Sequence, residues 1–176
     1  MTDEVRQELI ELARNSKEDL YDLADNPIIV CHWTAGWYDY LSASYHICIG
    51  ENGEVTIMHD SLAEVLSHAW RHNTGSIGVA LQCCVSAQVY KDTVNLGECP
   101  PTEKQIQALA EVCAVLCKEL DIPLQNVLTH AELADEDGYG LYSGDEDCRW
   151  DLAVINEDDE IGSGGDKIRQ RIKEVM

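Results

Sequence analysis

The sequence predicts a single α/β domain organised around one mixed central β-sheet. Three observations carry this expectation. The chain has 176 residues, a length that favours one domain able to bury a core. Helical periodicity marks its two ends and its middle. Between those segments lie short, β-branched apolar runs of the kind that fill a buried sheet.

Residues 3–23 place Val5, Leu9, Leu12, Ala13 and Leu20 near a 3.6-residue period, and Asn26-Pro27 ends this helix. Residues 28–31 form a strand that delivers His32 at its end. Residues 45–49 and 55–59 make a hairpin about Asn52-Gly53. A short helix is expected over 61–69, because Ser61 with Glu64 has the form of a capping box. Residues 77–83 are another apolar strand. The clearest helix follows Thr102. Gln105 completes a second capping box there, Ile106, Leu109, Ala110, Cys113, Leu116, Cys117 and Leu120 form its apolar stripe, and Pro123 stops it. Residues 126–129 are a short strand that delivers His130. Residues 134–149 read as an acidic surface loop, 156–165 as a flexible linker and 166–175 as a closing helix. The expected organisation is an N-terminal helix over 1–26, a main body over 27–155, and a linker and closing helix over 156–176 packed on the same domain.

Composition narrows the function. The formal charge is −21, so the surface repels nucleic acid and anionic lipid alike. A polymer bound by such a chain is recognised in a local cleft, not by overall charge. No segment approaches the roughly 20 apolar residues of a membrane helix. The start, Met1-Thr2-Asp3-Glu4, lacks the basic-then-apolar order of a signal peptide, so a cytoplasmic product is expected. Eight cysteines invite a disulfide framework, but no Cys-x-x-Cys pair occurs. Cys113 and Cys117, one turn apart among Ala, Val and Leu, read as small core residues.

His32 and His130 follow two buried strands. A strand end is rigid and still meets a cleft, which suits a metal ligand. Catalytic zinc takes three protein ligands and keeps one position open. The third ligand would come from the acidic loop after His130, where Asp145, Asp147, Cys148 and Asp151 are all within reach. A lone histidine at a strand end is more often structural, so the neighbouring residues must decide.

Those neighbours are His32-Trp33-Thr34-Ala35-Gly36; Tyr45-His46-Ile47-Cys48-Ile49 before Asn52-Gly53; His68-Ala69-Trp70 with Asn73; Ser76-Ile77-Gly78-Val79-Ala80-Leu81; Thr129-His130-Ala131-Glu132; and Arg149-Trp150-Asp151-Leu152. In this order they resemble the type-2 N-acetylmuramoyl-L-alanine amidases, in particular phage and prophage endolysins, over about residues 27–170. The resemblance implies a mixed sheet flanked by helices, as in the peptidoglycan recognition proteins. It implies Zn²⁺ as cofactor and hydrolysis of the amide joining the lactyl group of N-acetylmuramic acid to L-alanine. His32 and His130 match the family's two histidine ligands. Tyr45 matches a tyrosine that stabilises the transition state. Thr34 is expected to line the cleft, and His68 and Asn73 look like substrate-binding residues of that cleft, with loop-stabilising hydrogen bonds as the alternative for both. His46 alternates with Tyr45 along its strand and is left out.

For the third ligand, many members carry a lysine two residues earlier. The resemblance of Arg149-Trp150-Asp151-Leu152 to phage members with this loop type implies Asp151, with Cys148 and Asp145 as the alternatives, and with Asp151 the earlier position holds the cation Arg149. Other members carry a catalytic glutamate where this chain has Ala80, which puts more of the chemistry on Tyr45. The expected partner is peptidoglycan or a muropeptide, with no nucleic acid and no membrane, and the expected state is a monomer. The expected location is the cytoplasm until release to the cell wall. Two other readings share this pattern: a peptidoglycan-binding module with little catalysis, and a cytoplasmic amidase that recycles muropeptides.

Overall fold

The computed structural model describes residues 1–90, 93–141 and 150–176. In chain order the elements are α1 (Asp3–Leu23), β1 (Ile28–Trp33), β2 (Ile47–Ile49), β3 (Val55–Ile57), β4 (Ser76–Leu81), β5 (Gln88–Tyr90), β6 (Thr93–Asn95), α2 (Glu103–Leu120), a 3-10 turn (Leu124–Asn126), β7 (Val127–Thr129), α3 (His130–Asp137) and α4 (Gly164–Val175). The main sheet runs β3-β2-β4-β1-β7. β1 lies parallel between β4 and β7, β2 is parallel to β4, and β3 returns antiparallel at the edge. This is the single mixed α/β domain expected from the sequence.

The sheet's centre explains its composition. β4 is buried along its whole length and β1 from its second residue onward, so both read as continuous apolar runs rather than alternating ones. α1 and α4 both pack on α2, and α2 touches β2 and β4. The Thr102–Gln105 capping box forms as expected. Gln105 is wholly buried, and its Nε2 donates to the carbonyls of Ile49 and Gln82. The helix start is thereby fixed to the ends of β2 and β4. All seven described cysteines are buried free thiols, Cys113 and Cys117 among them. Among the described residues no helix is long and apolar enough to cross a membrane.

Four segments depart from expectation. Residues 61–69 form turns, not a helix. The groups a helix needs are engaged elsewhere: the Leu62 N–H donates to Ser16 Oγ, and Glu64 turns its carboxylate to His59. The Glu64 carbonyl, which would accept from the His68 N–H in a helix, accepts from His46 Nε2 instead. Residues 130–137, expected in part as loop, are helical because Thr129 and Glu132 form a capping box around His130. Residues 156–163, expected as a flexible linker, are hydrogen-bonded turns. Asp159 accepts from the N–H groups of Ile155 and Asn156 and pairs with Lys167. The small β5–β6 sheet was not anticipated.

Candidate active site

Site residues gather at one end of the central strands. His32 is the fifth residue of β1, completely buried, and in register with Ala80 on β4. His130 opens α3, directly after the Thr129 cap. Asp151 sits on a turn whose carbonyl accepts from the Ala131 N–H at 3.1 Å, which ties that turn to the start of α3. The next residue, Leu152, takes a left-handed φ of 59°. Its side chain is fully buried, which holds the backbone in that unfavourable region.

These three residues converge. His32 Nδ1 lies 2.7 Å from Asp151 Oδ2, and His130 Nδ1 lies 3.0 Å from Asp151 Oδ1. One donor atom from each lies within 4.8 Å of the other two, and all three residues are buried. Two imidazoles and a carboxylate, with a fourth direction open to a cleft, are the donor set of catalytic zinc. The Asp151 carboxyl feels burial, which would raise its pKa, but the facing His130 and His32 more than offset it and hold it well below the usual range. Burial pushes the His32 pKa down, partly opposed by Asp151. The three residues therefore fit the ion that the sequence pattern implies. Asp145, Cys148 and Arg149, the alternative ligands and the flanking cation, lie outside the described residues.

Two of these residues, His130 and Asp151, line a cleft of about 420 Å³, and His32 lies fully buried behind it. Trp33, Thr34 and Ala35 on one side, and Tyr40, Ser42, Ser44 and Tyr45 on another, line it with hydroxyls. Among the described residues that line it, Asp151 is the only acid and there is no lysine or arginine, so this lining is polar with a single carboxylate. Trp33 packs edge-to-face on Trp150, ring centroids 4.7 Å apart, and so is both core and wall. Tyr45 precedes β2 and lays its ring against His32, centroids 4.9 Å apart.

The sequence-chosen residues separate here. His130, Asp151, Tyr45, Thr34 and His68 line the cleft, His32 is buried beside Asp151 and His130, and Asn73 does not line the cleft. Its Oδ1 accepts from the backbone N–H groups of His68 and Ala69, so it shapes the loop beneath. His68 is 8% exposed and both its ring nitrogens are engaged, one by His32 Nε2 and one by Ser76 Oγ. Burial and the neighbouring histidines push its pKa down to about 3, so the ring is neutral. His46 is buried behind the site: its Nδ1 accepts from the Gly78 N–H and its Nε2 donates to the Glu64 carbonyl. His59 and His72 are half-buried and paired with Glu64 and Asp137. Sequence reasoning missed the hydroxyls of Ser42, Ser44 and Ser67, which carry no motif signal.

Residues 16–148 match the family described as N-acetylmuramoyl-L-alanine amidase, and Asp151 falls just beyond that match. None of the curated proteins is a significant match to this chain. Among solved structures, the E. coli amidase AmiD, in complex with anhydro-N-acetylmuramic acid-L-Ala-D-gamma-Glu-L-Lys, is 23% identical, with a TM-score of 0.49. That alignment covers 61% of this chain and 49% of AmiD, so the chain spans about half of AmiD's length. The endolysin amidase LysCS of Clostridium intestinale is 21% identical, with a TM-score of 0.45, covering 61% of this chain and 71% of that one. The Ph2119 endolysin of a Thermus scotoductus bacteriophage is 20% identical, with a TM-score of 0.48, covering 68% and 81%. By the match over residues 16–148, the chain belongs to the N-acetylmuramoyl-L-alanine amidase family.

Proposed function

We propose that the protein is a zinc hydrolase that cuts the amide between the lactyl group of N-acetylmuramic acid and L-alanine, degrading bacterial cell wall in the manner of an endolysin. The observation that carries this is the convergence of His32, His130 and Asp151 beside a hydroxyl-lined cleft, within a chain of that family. A bound zinc ion supplies a Lewis acid and an activated water. The chain's own residues do the rest. His32 and His130 would offer imidazole nitrogens and Asp151 a carboxylate. Tyr45, with its ring stacked on His32, donates its phenolic proton to the oxygen that gains charge as the amide carbonyl is attacked. Thr34 and the serine hydroxyls offer hydrogen bonds to a peptide or sugar. Trp33 and Trp150 shield the ligands from bulk water on one side.

One observation favours a second reading, a binding module with little turnover. Ala80, where other members carry a glutamate, is fully buried and in register with His32, so β4 brings only a methyl group beside the metal ligand. The two readings separate on purified peptidoglycan with zinc present. The enzyme reading expects new N-terminal L-alanine to accumulate with time and the sacculi to lose turbidity. Binding to sacculi without any alanine release refutes it.

A further inference from the structure

The motif His68…Asn73…Ser76…Gly78 is only partly used by the site as described, because Asn73 and Ser76 do not line the cleft. Its hydrogen bonds run in one direction. A backbone carbonyl can only accept, so the Ser76 hydroxyl, 3.1 Å from the Asn73 carbonyl, donates to it. Serine has one hydroxyl proton, so towards His68 Nε2, also at 3.1 Å, Ser76 Oγ is the acceptor and the ring nitrogen donates. A neutral imidazole with its proton on Nε2 has a bare Nδ1. That Nδ1 lies 3.1 Å from His32 Nε2, which must therefore carry the proton and donate it. His32 is left with a bare Nδ1, aimed at Asp151 Oδ2 2.7 Å away. Two acceptors that close repel unless a cation lies between them.

We infer that His68 is a positioning residue that fixes His32 as the Nε2–H tautomer, through a relay anchored on the Asn73 carbonyl, so that His32 Nδ1 is held ready for the metal. This rests on the metal reading proposed above. The surrounding residues serve the relay. Asn73 Oδ1 accepts from the N–H groups of His68 and Ala69, which sets where the ring starts. A Cβ on Gly78 would lie 3.0 Å from His68 Cγ and 3.1 Å from its Nδ1, so glycine there lets the ring lie flat on β4. The carboxylate or carbonyl that usually orients a metal-bound histidine is here replaced by a second imidazole and a serine.

The test is zinc affinity, measured by chelator competition with Zn²⁺ alone, for wild type, His68→Leu, His68→Asn and Ser76→Ala. Loss of an orienting partner typically weakens metal binding about 10- to 100-fold, and that is the effect expected for His68→Leu. His68→Asn keeps an acceptor near the Nδ1 position and should recover most of the loss. Ser76→Ala, which removes only the acceptor behind His68, should lose about 10-fold and serves the test should His68→Leu fail to fold. In the zinc-loaded wild type, nitrogen-15 NMR should show a hydrogen-bonded proton on His32 Nε2, shifted in Ser76→Ala. Wild-type affinity in both His68→Leu and Ser76→Ala, or a rise in KM alone, makes His68 a substrate contact and overturns the inference. A wild type that binds no zinc overturns the metal reading itself, an outcome distinct from loss in the variants.

Discussion

The two halves of the site are held in different ways. His32 belongs to the sheet: it is on the central strand, wholly buried, with Asp151 on one ring nitrogen and His68 on the other. His130 and Asp151 belong to the periphery. One opens a helix of eight residues and the other sits on a turn beside a left-handed leucine. His130 Nε2 is buried and has no hydrogen-bond partner among the described residues. What holds this half is a clamp from α4. Arg169 reaches both carboxylate oxygens of Glu132 and the Val127 carbonyl, while Glu132 Oε2 accepts from the Thr129 N–H at the start of α3. A ligand on a central strand inherits the rigidity of the core. A ligand on a short helix needs its own fastening, and the closing helix provides it.

The difference can be broken from either side. The largest effect is expected from the ligands themselves. His32→Ala and His130→Ala should both reduce alanine release to background, but they should diverge in stability. His32→Ala empties a wholly buried position and leaves His68 Nδ1 without its donor, costing about 2–4 kcal/mol in urea melts of the metal-free protein. His130→Ala removes a ring whose Nε2 has no partner among the described residues but whose Nδ1 faces Asp151, and should cost less, about 1–2 kcal/mol. Equal losses would erase the distinction between the halves.

Tyr45→Phe comes next. It should keep its zinc and lower kcat about 100- to 1,000-fold, as expected for one lost oxyanion donor. A wild-type kcat would remove Tyr45 from the chemistry. Smaller still is an acid effect from His46 on the sheet side. Burial, opposed by weaker help from the Glu64 carbonyl, lowers its pKa from 6.5 to about 4. The unfolded chain then takes the proton first, so stability is complete above pH 6.5 and falls as pH drops towards 4, by about 3 kcal/mol in all. His46→Gln should flatten that fall between pH 7 and pH 4.5 by roughly 2 kcal/mol, and an unchanged slope would assign the acid sensitivity elsewhere. The smallest effect is Arg169→Met. It should cost about 1 kcal/mol, since the pair is partly exposed, and should loosen α3 in hydrogen exchange while leaving β1 protected.

The same division governs what could be read in the sequence. The sheet side was legible because burial on both faces writes a continuous apolar run, and a histidine inside such a run stands out: β1, β4 and His32 follow from it. α1 and α2 were legible from periodicity and caps. His130 and Asp151 came from motif order, since neither a three-residue strand nor a turn has a period to read. The capping box Thr129–Glu132 was present and announced α3, yet the acidic residues after it resembled a loop. The Ser61–Glu64 pattern misled for the opposite reason: a local cap signal lost to distant partners, Ser16, His46 and His59. Asn73 was assigned to substrate because motif order shows that a residue matters, not which way its side chain turns.

Zinc content of the wild type, purified beside Asp151→Ala, tests the central claim most directly. Asp151 is the group both histidines face, and the proposed ligand for which the sequence offers Cys148 and Asp145 as alternatives. The account predicts about one zinc per wild-type chain and almost none in Asp151→Ala, with both proteins folded. A wild type that neither carries nor takes up zinc, or an Asp151→Ala that holds it as tightly as the wild type, would contradict it.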